Sequence, residues 1–529
     1  MRIVECVPNF SEGRDRAAID ALADAVRSVD GVRLLDVDPG AGANRTVITF
    51  VGEPEAALEA GFRAIRAAAE RIDMRRHKGE HPRIGATDVF PFVPVSGVTM
   101  AECVRLARDL GRRVWDELCI PVYLYEHAAT RPERRSLAAI RAGEYEGLAR
   151  KLADPAWAPD FGEPVLNERS GATAIGARKF LVAYNVNLNT KDRRAASRIA
   201  KAIRERGLPI RAIGWLIPEY RRAQVSMNLL DFEEAGLADA FDEVCRLADA
   251  EGLRVTGSEI VGLVPEKALL DAGRRYLKRQ GRSTGLPRAD LCDIAVMTLG
   301  LNDVTRFDPS ERIVERRIAR ADRPAALPVE RFLARLSDAA PVPGGGSAAA
   351  LAAAASGALV SMVANLTCDR KGMEAVRDEM IAAAERAQAA LDGAATTIDA
   401  DSDAYDAVVR AMRMPKATPR DQADRRAAID AASRRAALVP LGLLESLSRS
   451  MADVSAVVRR GNPNCASDSC AAACLASAAA EIAHANVLAN LPAIRDRGWR
   501  DRTRRRSATL RGGIVRAAAR LVAAARRAI

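Results

Sequence analysis

The residue pattern of this chain changes its period near position 320, and that change limits the folds open to it more than any other feature. Up to that point, short β-branched and aromatic runs alternate with helical pattern. Beyond it strand signals nearly vanish, and alanine-rich helical pattern fills 347–366, 373–411, 420–459, 466–490 and 500–527. Side chains repeat with a period of about 2.0 along a strand and about 3.6 along a helix, so the two halves bury their apolar faces differently and need separate cores. The Pro-, Ala- and Arg-rich stretch 319–328 reads as the linker between them. The expected fold is an α+β N-terminal half followed by an all-α helical bundle over 329–529.

The α+β half repeats an order. A strand at 2–10, a helix over 14–29, strands at 32–38 and 45–52, a helix over 54–73 and a strand at 86–95 spell β-α-β-β-α-β. The same order returns with a strand at 179–188, a helix over 189–206, strands at 210–217 and 222–230, a helix over 234–251 and a strand at 254–262. Two related βαββαβ-like subdomains, 1–178 and 179–318, are therefore expected. Residues 96–178 add two helices, a short strand through Val122–Tyr125 and a Gly/Pro-bearing loop from Pro159 to Gly176. Long ordered loops in compact domains tend to be functional.

Composition narrows the function classes. At 529 residues and 49% hydrophobic content the chain can bury several cores. Its nine cysteines are odd in number and scattered, and no charged-then-apolar leader precedes Met1-Arg2-Ile3-Val4-Glu5, so a reducing cytoplasm is expected. Cys465, Cys470 and Cys474 lack the spacing of a zinc pair and read as buried thiols on an Ala-rich helix. The net charge of +11 is local, because residues 491–529 hold 12 arginines against 2 aspartates. Interleaved Leu510, Ile514, Val515, Leu521 and Val522 make that tail a basic amphipathic helix with one face packed, and with no nucleic-acid motif beside it no nucleic-acid partner is expected. The charge-free run Ala339–Cys368 is long enough for a membrane span. Pro341, Pro343 and three glycines interrupt it, and alanine, serine and asparagine dilute the rest, so the expectation is no span but a central helix buried on all sides of the bundle.

The chemistry concentrates in Arg76–Asp88, which holds two of only four histidines beside acids, bases and backbone-bending residues. Histidine titrates nearest neutral pH, so this is the composition of a proton-transfer site. His77-x-x-Glu80-His81 also matches an inverted zincin pattern, but that pattern needs both histidines on one helical face, and Gly79 and Pro82 oppose a helix there. A metal-free acid/base loop is preferred over zinc and over a charged surface loop.

Motifs along nearly the whole chain resemble one family. They are Val4-Glu5-Cys6-Val7-Pro8-Asn9-Phe10-Ser11-Glu12-Gly13, Asn44–Val47, His77–Arg83, Ile140–Glu146, Gly176–Phe180, Asn228–Phe232 and Val261–Pro265, then Pro343–Ser347 and Asp399-Ala400-Asp401 in the bundle. In these stretches the chain resembles the bifunctional formimidoyltransferase-cyclodeaminases of histidine breakdown. The resemblance implies transfer of the formimidoyl group of N-formimidoyl-L-glutamate to N5 of tetrahydrofolate, then closure to 5,10-methenyltetrahydrofolate with loss of ammonia. It places the transferase acid/base on His81 and the cyclodeaminase proton donor and acceptor on Asp401. Glu80 is a candidate to orient the His81 ring, and Arg45, Lys78 and Arg83 are candidate clamps for substrate carboxylates.

By the same resemblance, the folate-contacting segment follows Trp157–Gly162 and comprises Gly162, Glu163, Pro164, Val165, Leu166, Asn167, Glu168, Arg169, Ser170 and Gly171. Its ends match the family well and its interior does not, so contacts through the main chain carry over better than those of side chains. Gly344, Gly345, Gly346 and Ser347 open the charge-free helix and are a candidate seat for a carboxylate or a pterin edge. Tetrahydrofolate, with or without a polyglutamate tail, enters as co-substrate, with the Arg-rich last helix as a candidate guide for that tail; no metal is expected, and a homo-oligomer is. The alternative is an N-formylglutamate:tetrahydrofolate formyltransferase joined to a bundle that hydrolyses methenyltetrahydrofolate.

Overall fold

Val4, Cys6, Phe50, Phe90 and Phe92 all project from one side of a single sheet, because alternate residues of a strand share a face. Three helices, Arg16–Arg27, Pro54–Arg71 and Met100–Leu118, cover that side with the buried Leu22, Ile65 and Leu110. Burying a phenylalanine contributes about 1.5–3 kcal/mol, so a one-residue slip that turned this row outward would be costly, and the register is set by it. Glu5, Arg45, Val47, Val89 and Val93 occupy the other face.

The computed structural model describes residues 2–79, 81–217, 221–318 and 323–529. The first sheet contains β1 (Ile3–Cys6), β2 (Asn9–Phe10), β3 (Val32–Gly40), β4 (Arg45–Gly52), β5 (Thr87–Ser96), β6 (Val122–Glu126) and β7 (Thr173–Ala177). β4 pairs antiparallel with β1, β2 and β3; β1 and β2 also pair with β5; β7 runs parallel between β5 and β6. The second sheet, β8 (Val182–Leu188), β9 (Ile210–Ile217), β10 (Arg222–Leu229) and β11 (Val255–Val261), is antiparallel in the order β11-β8-β10-β9. With β1 and β2 counted as one strand broken at Val7-Pro8, both sheets set their first strand between their third and fourth.

The chain divides into two units, residues 1–272 with 296–318 and residues 273–295 with 319–529. The segment 273–295, which the sequence boundaries assign to the second α+β subdomain, thus packs with the helical unit. Gly285 explains the attachment, since its carbonyl accepts from Ser361 Oγ at 3.1 Å and Asn365 Nδ2 at 2.7 Å. The long helices of that unit are Gly345–Cys368, Arg377–Met412, Pro419–Arg460, Ala466–Asn490 and Arg497–Arg526. Buried alanines such as Ala349, Ala383, Ala472 and Ala480 line their contacts and let the axes approach closely.

Three expectations need correcting. Helix Gly345–Cys368 is not buried all round: Leu351, Met362 and Leu366 are exposed, because the neighbouring helices leave one line of it uncovered. It and the stretch Pro463–Ala493 are long and apolar enough to cross a membrane, yet both carry substantial buried surface within this fold. Cys474 is exposed and Cys470 half-buried, one turn apart on the outer line of their helix, and of these three thiols Cys465 alone is buried. The expected loop from Pro159 to Gly176 ends in β7, whose small residues are all buried and so show no alternation. Of the expected linker, residues 319–322 lie outside the described residues, while Arg323 and Ala325 are tied to helix Arg377–Met412 through Asp403 and Asp399.

Candidate functional site

Asn44 is the joint around which the first site is built. It holds a left-handed conformation (φ +48°), which asparagine tolerates better than most residues. Its Oδ1 accepts from Gly13 N–H at 3.0 Å, its Nδ2 donates to the Lys78 carbonyl at 2.9 Å, and its carbonyl accepts from His77 Nε2 at 2.9 Å. Arg83 Nε donates to His77 Nδ1 at 3.2 Å. Both nitrogens of His77 are therefore engaged, and the ring is a strut between residues 44 and 83. No helix runs through 77–79, so the zincin geometry is absent from these residues.

His81 has a different environment. Its Nδ1 donates to the Pro82 carbonyl at 2.7 Å, which leaves Nε2 as an acceptor, and the Arg45 guanidinium donates to it. Burial, and then the cations of Arg45 and Arg141, hold the imidazole below the ordinary histidine range. A neutral ring with its lone pair on Nε2 is a proton acceptor at neutral pH. Arg45 is itself pulled down to about 10 by burial and then by Arg141, and its Nε is buried without a hydrogen-bond partner. Arg141 is gripped by the buried Asp88, with Nε 3.3 Å from Oδ1 and Nη2 on the other oxygen.

Arg83 is 6% exposed and already holds Glu144 at 2.8 Å and Glu146 at 2.6 Å. Its charge is spent on fixing the loop, which removes it as a free clamp for a substrate carboxylate. The Lys78 side chain is exposed, and Glu80 lies outside the described residues.

The segment 162–171 is pinned at its end and open in its middle. Arg169 donates to the carbonyls of Ala69 and Glu70 and its own carbonyl accepts from Met74, while Ser170 O accepts from Ala86 N–H at 2.8 Å. Asn167 spans inward, with Oδ1 on Ser170 N–H at 2.9 Å and Nδ2 on the Cys119 carbonyl at 3.2 Å. Glu163, Pro164, Val165 and Glu168 are exposed, Leu166 half-buried, and Gly162 and Gly171 both have positive φ. The pinned end lies directly against the His81 loop: Gly85 bridges to Gly171, and a Cβ on Gly85 would fall 2.2 Å from the Ala172 carbonyl. Only glycine permits that approach, so the expected folate segment and the expected base are fastened together.

The second site is built on helices. Asp401 lies beside the first turn of Gly345–Cys368, where Ser347 Oγ donates to its Oδ2 at 3.2 Å and the Ser347 amide also donates to its carboxyl group. A Cβ on Gly346 would fall 2.0 Å from Asp401 Oδ1, so this glycine makes the room the carboxyl group fills. Burial raises the Asp401 pKa, and the two Ser347 hydrogen bonds only partly oppose it. The neighbouring acids have other work. Asp399 accepts from the Ala325 amide at 3.0 Å, Asp403 pairs with Arg323 at 2.8 Å, and Asp406 is exposed.

Sequence reasoning missed Asn44, Asp88, Arg141 and Tyr145 as parts of the first site. Two signals were present: Asn44 opens the matched stretch Asn44–Val47, and Arg141 and Tyr145 lie in Ile140–Glu146. Neither stretch says that it meets residue 81.

Comparison with known proteins agrees along the chain. The profile of the formiminotransferase domain, N-terminal subdomain, matches residues 3–178, that of the formiminotransferase domain matches 183–319, and that of formiminotransferase-cyclodeaminase matches 328–509. The chain is 43% identical over 521 residues to the formimidoyltransferase-cyclodeaminase of Sus scrofa, covering 96% of each, and 42% identical over 515 residues to that of Gallus gallus, covering 95% of each. It is 46% identical over 280 residues to the glutamate formimidoyltransferase of Streptococcus pyogenes, which spans 52% of this chain and 94% of that enzyme. Matched from its first strand into its last helix, the chain belongs to the formimidoyltransferase-cyclodeaminase family.

Proposed function

We infer that this chain transfers the formimidoyl group of N-formimidoyl-L-glutamate to tetrahydrofolate in its α+β half and closes 5-formimidoyltetrahydrofolate to 5,10-methenyltetrahydrofolate, releasing ammonia, in its helical half. The observation that carries the transferase reading is His81, its Nε2 an acceptor that Arg45 occupies, on a loop fastened through Gly85 to the segment 162–171. N5 of tetrahydrofolate attacks the amidine carbon and its proton passes to His81 Nε2. The imidazolium then returns a proton to the departing glutamate nitrogen, so one ring serves as base and acid. Arg45 takes a substrate carboxylate with the edge that includes its unpartnered Nε, and in turning toward it releases His81 Nε2.

In the bundle, N10 attacks the formimidoyl carbon. Asp401, its pKa raised by burial, supplies the proton on which ammonia leaves and recovers one from N10. Gly346 and Ser347 hold the acid, with Gly344 and the exposed Gly345 left to meet the substrate. The formyl-donor alternative is not favoured, since the relatives that match end to end are named for the formimidoyl reaction.

The shared strand order supports reading 1–178 and 179–318 as related transferase subdomains, with 329–529 as the cyclodeaminase bundle. A cytoplasmic homo-oligomer acting on small-molecule substrates without a metal, its last helix guiding a polyglutamate tail, completes the proposal.

The test supplies N-formimidoyl-L-glutamate and tetrahydrofolate and follows methenyltetrahydrofolate and ammonia together. Wild type forms both, His81→Ala forms neither, and Asp401→Ala accumulates 5-formimidoyltetrahydrofolate. Methenyltetrahydrofolate formation by His81→Ala at the wild-type rate sinks the transferase assignment, and failure of Asp401→Ala to accumulate the intermediate sinks the cyclodeaminase one.

A further inference from the structure

The turn 141–147 joins the His81 loop to the segment expected to meet folate, yet none of its residues is expected to meet substrate. Arg141 holds Asp88 and faces His81. Glu144 and Glu146 hold Arg83, which fixes the His81 loop. Tyr145 Oη donates to the Glu168 carbonyl, inside the segment expected to meet folate. Its backbone is strained, with Glu144 at φ +53°, a conformation that costs a non-glycine residue free energy and so has to be held from outside.

Lys151 holds it. Its Nζ donates to the carbonyls of Ala139 at 2.8 Å, Ile140 at 2.6 Å and Ala142 at 3.0 Å, which bracket Arg141, and all three ammonium hydrogens are thereby used. The same Nζ lies 4.2 Å from the centre of the Trp157 ring, at the head of the stretch that leads into the folate segment. No carboxylate pairs with it in these contacts, so the ammonium is committed to backbone oxygens and an aromatic face.

We propose that Lys151 is the positioning residue of the transferase site, its ammonium locking the turn 141–147 so that His81 and the folate segment 162–171 are set in register by one element. This rests on the functional reading above and deepens it. Lys151 acts through Arg141 on the base and through Tyr145 on the folate segment, without touching substrate.

The experiment uses the full-length enzyme with both activities measured on each preparation. Lys151→Met is expected to lower transferase kcat/KM about 100-fold, the loss typical of a catalytic group displaced by about 1 Å, while cyclodeamination of supplied 5-formimidoyltetrahydrofolate stays at the wild-type rate. The acid limb of its transferase pH profile is expected to move up, because Arg141 no longer presses on His81; Arg45 and Asp88 remain as the other charged groups facing that ring. Tyr145→Phe removes only one hydroxyl, and is expected to raise KM for tetrahydrofolate about fivefold with little change in kcat, as loss of a single hydrogen bond would. Wild-type kinetics and an unmoved pH profile in Lys151→Met overturn the proposal. If Lys151→Met loses both activities through misfolding, Tyr145→Phe decides, and an unchanged KM overturns it. Transfer by the wild type that does not depend on His81 instead overturns the functional reading, which separates the two failures.

Discussion

In the mechanism proposed above His81 and Asp401 both move protons, and they do so in unlike surroundings. A group that moves protons near neutral pH has to be poised close to its own titration. His81 stands on loops at the end of a sheet, crowded by Arg45, Arg141 and Asp88, and burial plus two cations keep it neutral. Asp401 stands among helices with serine and glycine for neighbours, and burial raises its pKa against two hydrogen bonds that favour its charged form. The histidine pKa falls and the aspartate pKa rises, and each shift favours the uncharged species. A charge-rich loop site depends on many partners held at once; an uncharged helical site depends on one close fit.

If that contrast is right, the helical site should be the more brittle to a change of shape. Gly346→Ala drives a methyl group into Asp401, and the expected result is loss of cyclodeaminase activity by more than about 100-fold with the transferase unchanged, read by supplying each half-reaction separately. An active Gly346→Ala would mean that the fit at Asp401 is loose. The loop site should answer to charge. Arg45→Met removes the nearest cation from His81, so its pKa rises and the acid limb of transferase kcat/KM moves up, with a higher KM for N-formimidoyl-L-glutamate. A limb that stays in place would show that burial alone sets the histidine.

Ser347→Ala tests the helical site in the same terms with a smaller effect. Ser347 stabilises the ionised carboxylate, so its removal raises the Asp401 pKa further, and the pH at which cyclodeaminase kcat falls as the acid deprotonates moves up. A downward move would reverse the assigned direction. The smallest effects should come from the flanking acids. Asp399→Asn and Asp403→Asn are expected to stay within about twofold of wild type in both activities, because exposed and partly exposed pairs of this kind are weak. A large loss in either would shift the acid role away from Asp401.

Much of the fold was legible because it rests on local pattern. Helix Pro419–Arg460 was expected over 420–459 and β9 at its observed bounds, Ile210–Ile217. β7 was not legible, since Thr173–Ala177 is buried on both faces and gives no alternation to read. The exposed line of Leu351, Met362 and Leu366 was hidden for a related reason: a helix with no charge offers no polar stripe to mark its outer side. Within the transferase site the histidine loop stood out by composition, but Asp88–Arg141 and Arg83–Glu146 join residues more than 50 positions apart, and such pairings leave no local trace.

The amino-acid sequence by itself determined that this chain has an α+β half and a helical half and, through motif resemblance, which family it joins; it also singled out His77–His81 as the candidate for proton transfer in the first half. Periodicity, turn residues and short motifs are written in neighbouring positions, so those conclusions need no coordinates. The tertiary structure decided that His77 is a strut while His81 keeps an acceptor nitrogen, that Arg83 is neutralised by Glu144 and Glu146, and that Asp399 and Asp403 are engaged elsewhere while Asp401 sits against Gly346. Protonation state and hydrogen-bond partner depend on burial and on charges brought together from distant parts of the chain, and those exist only once it has folded.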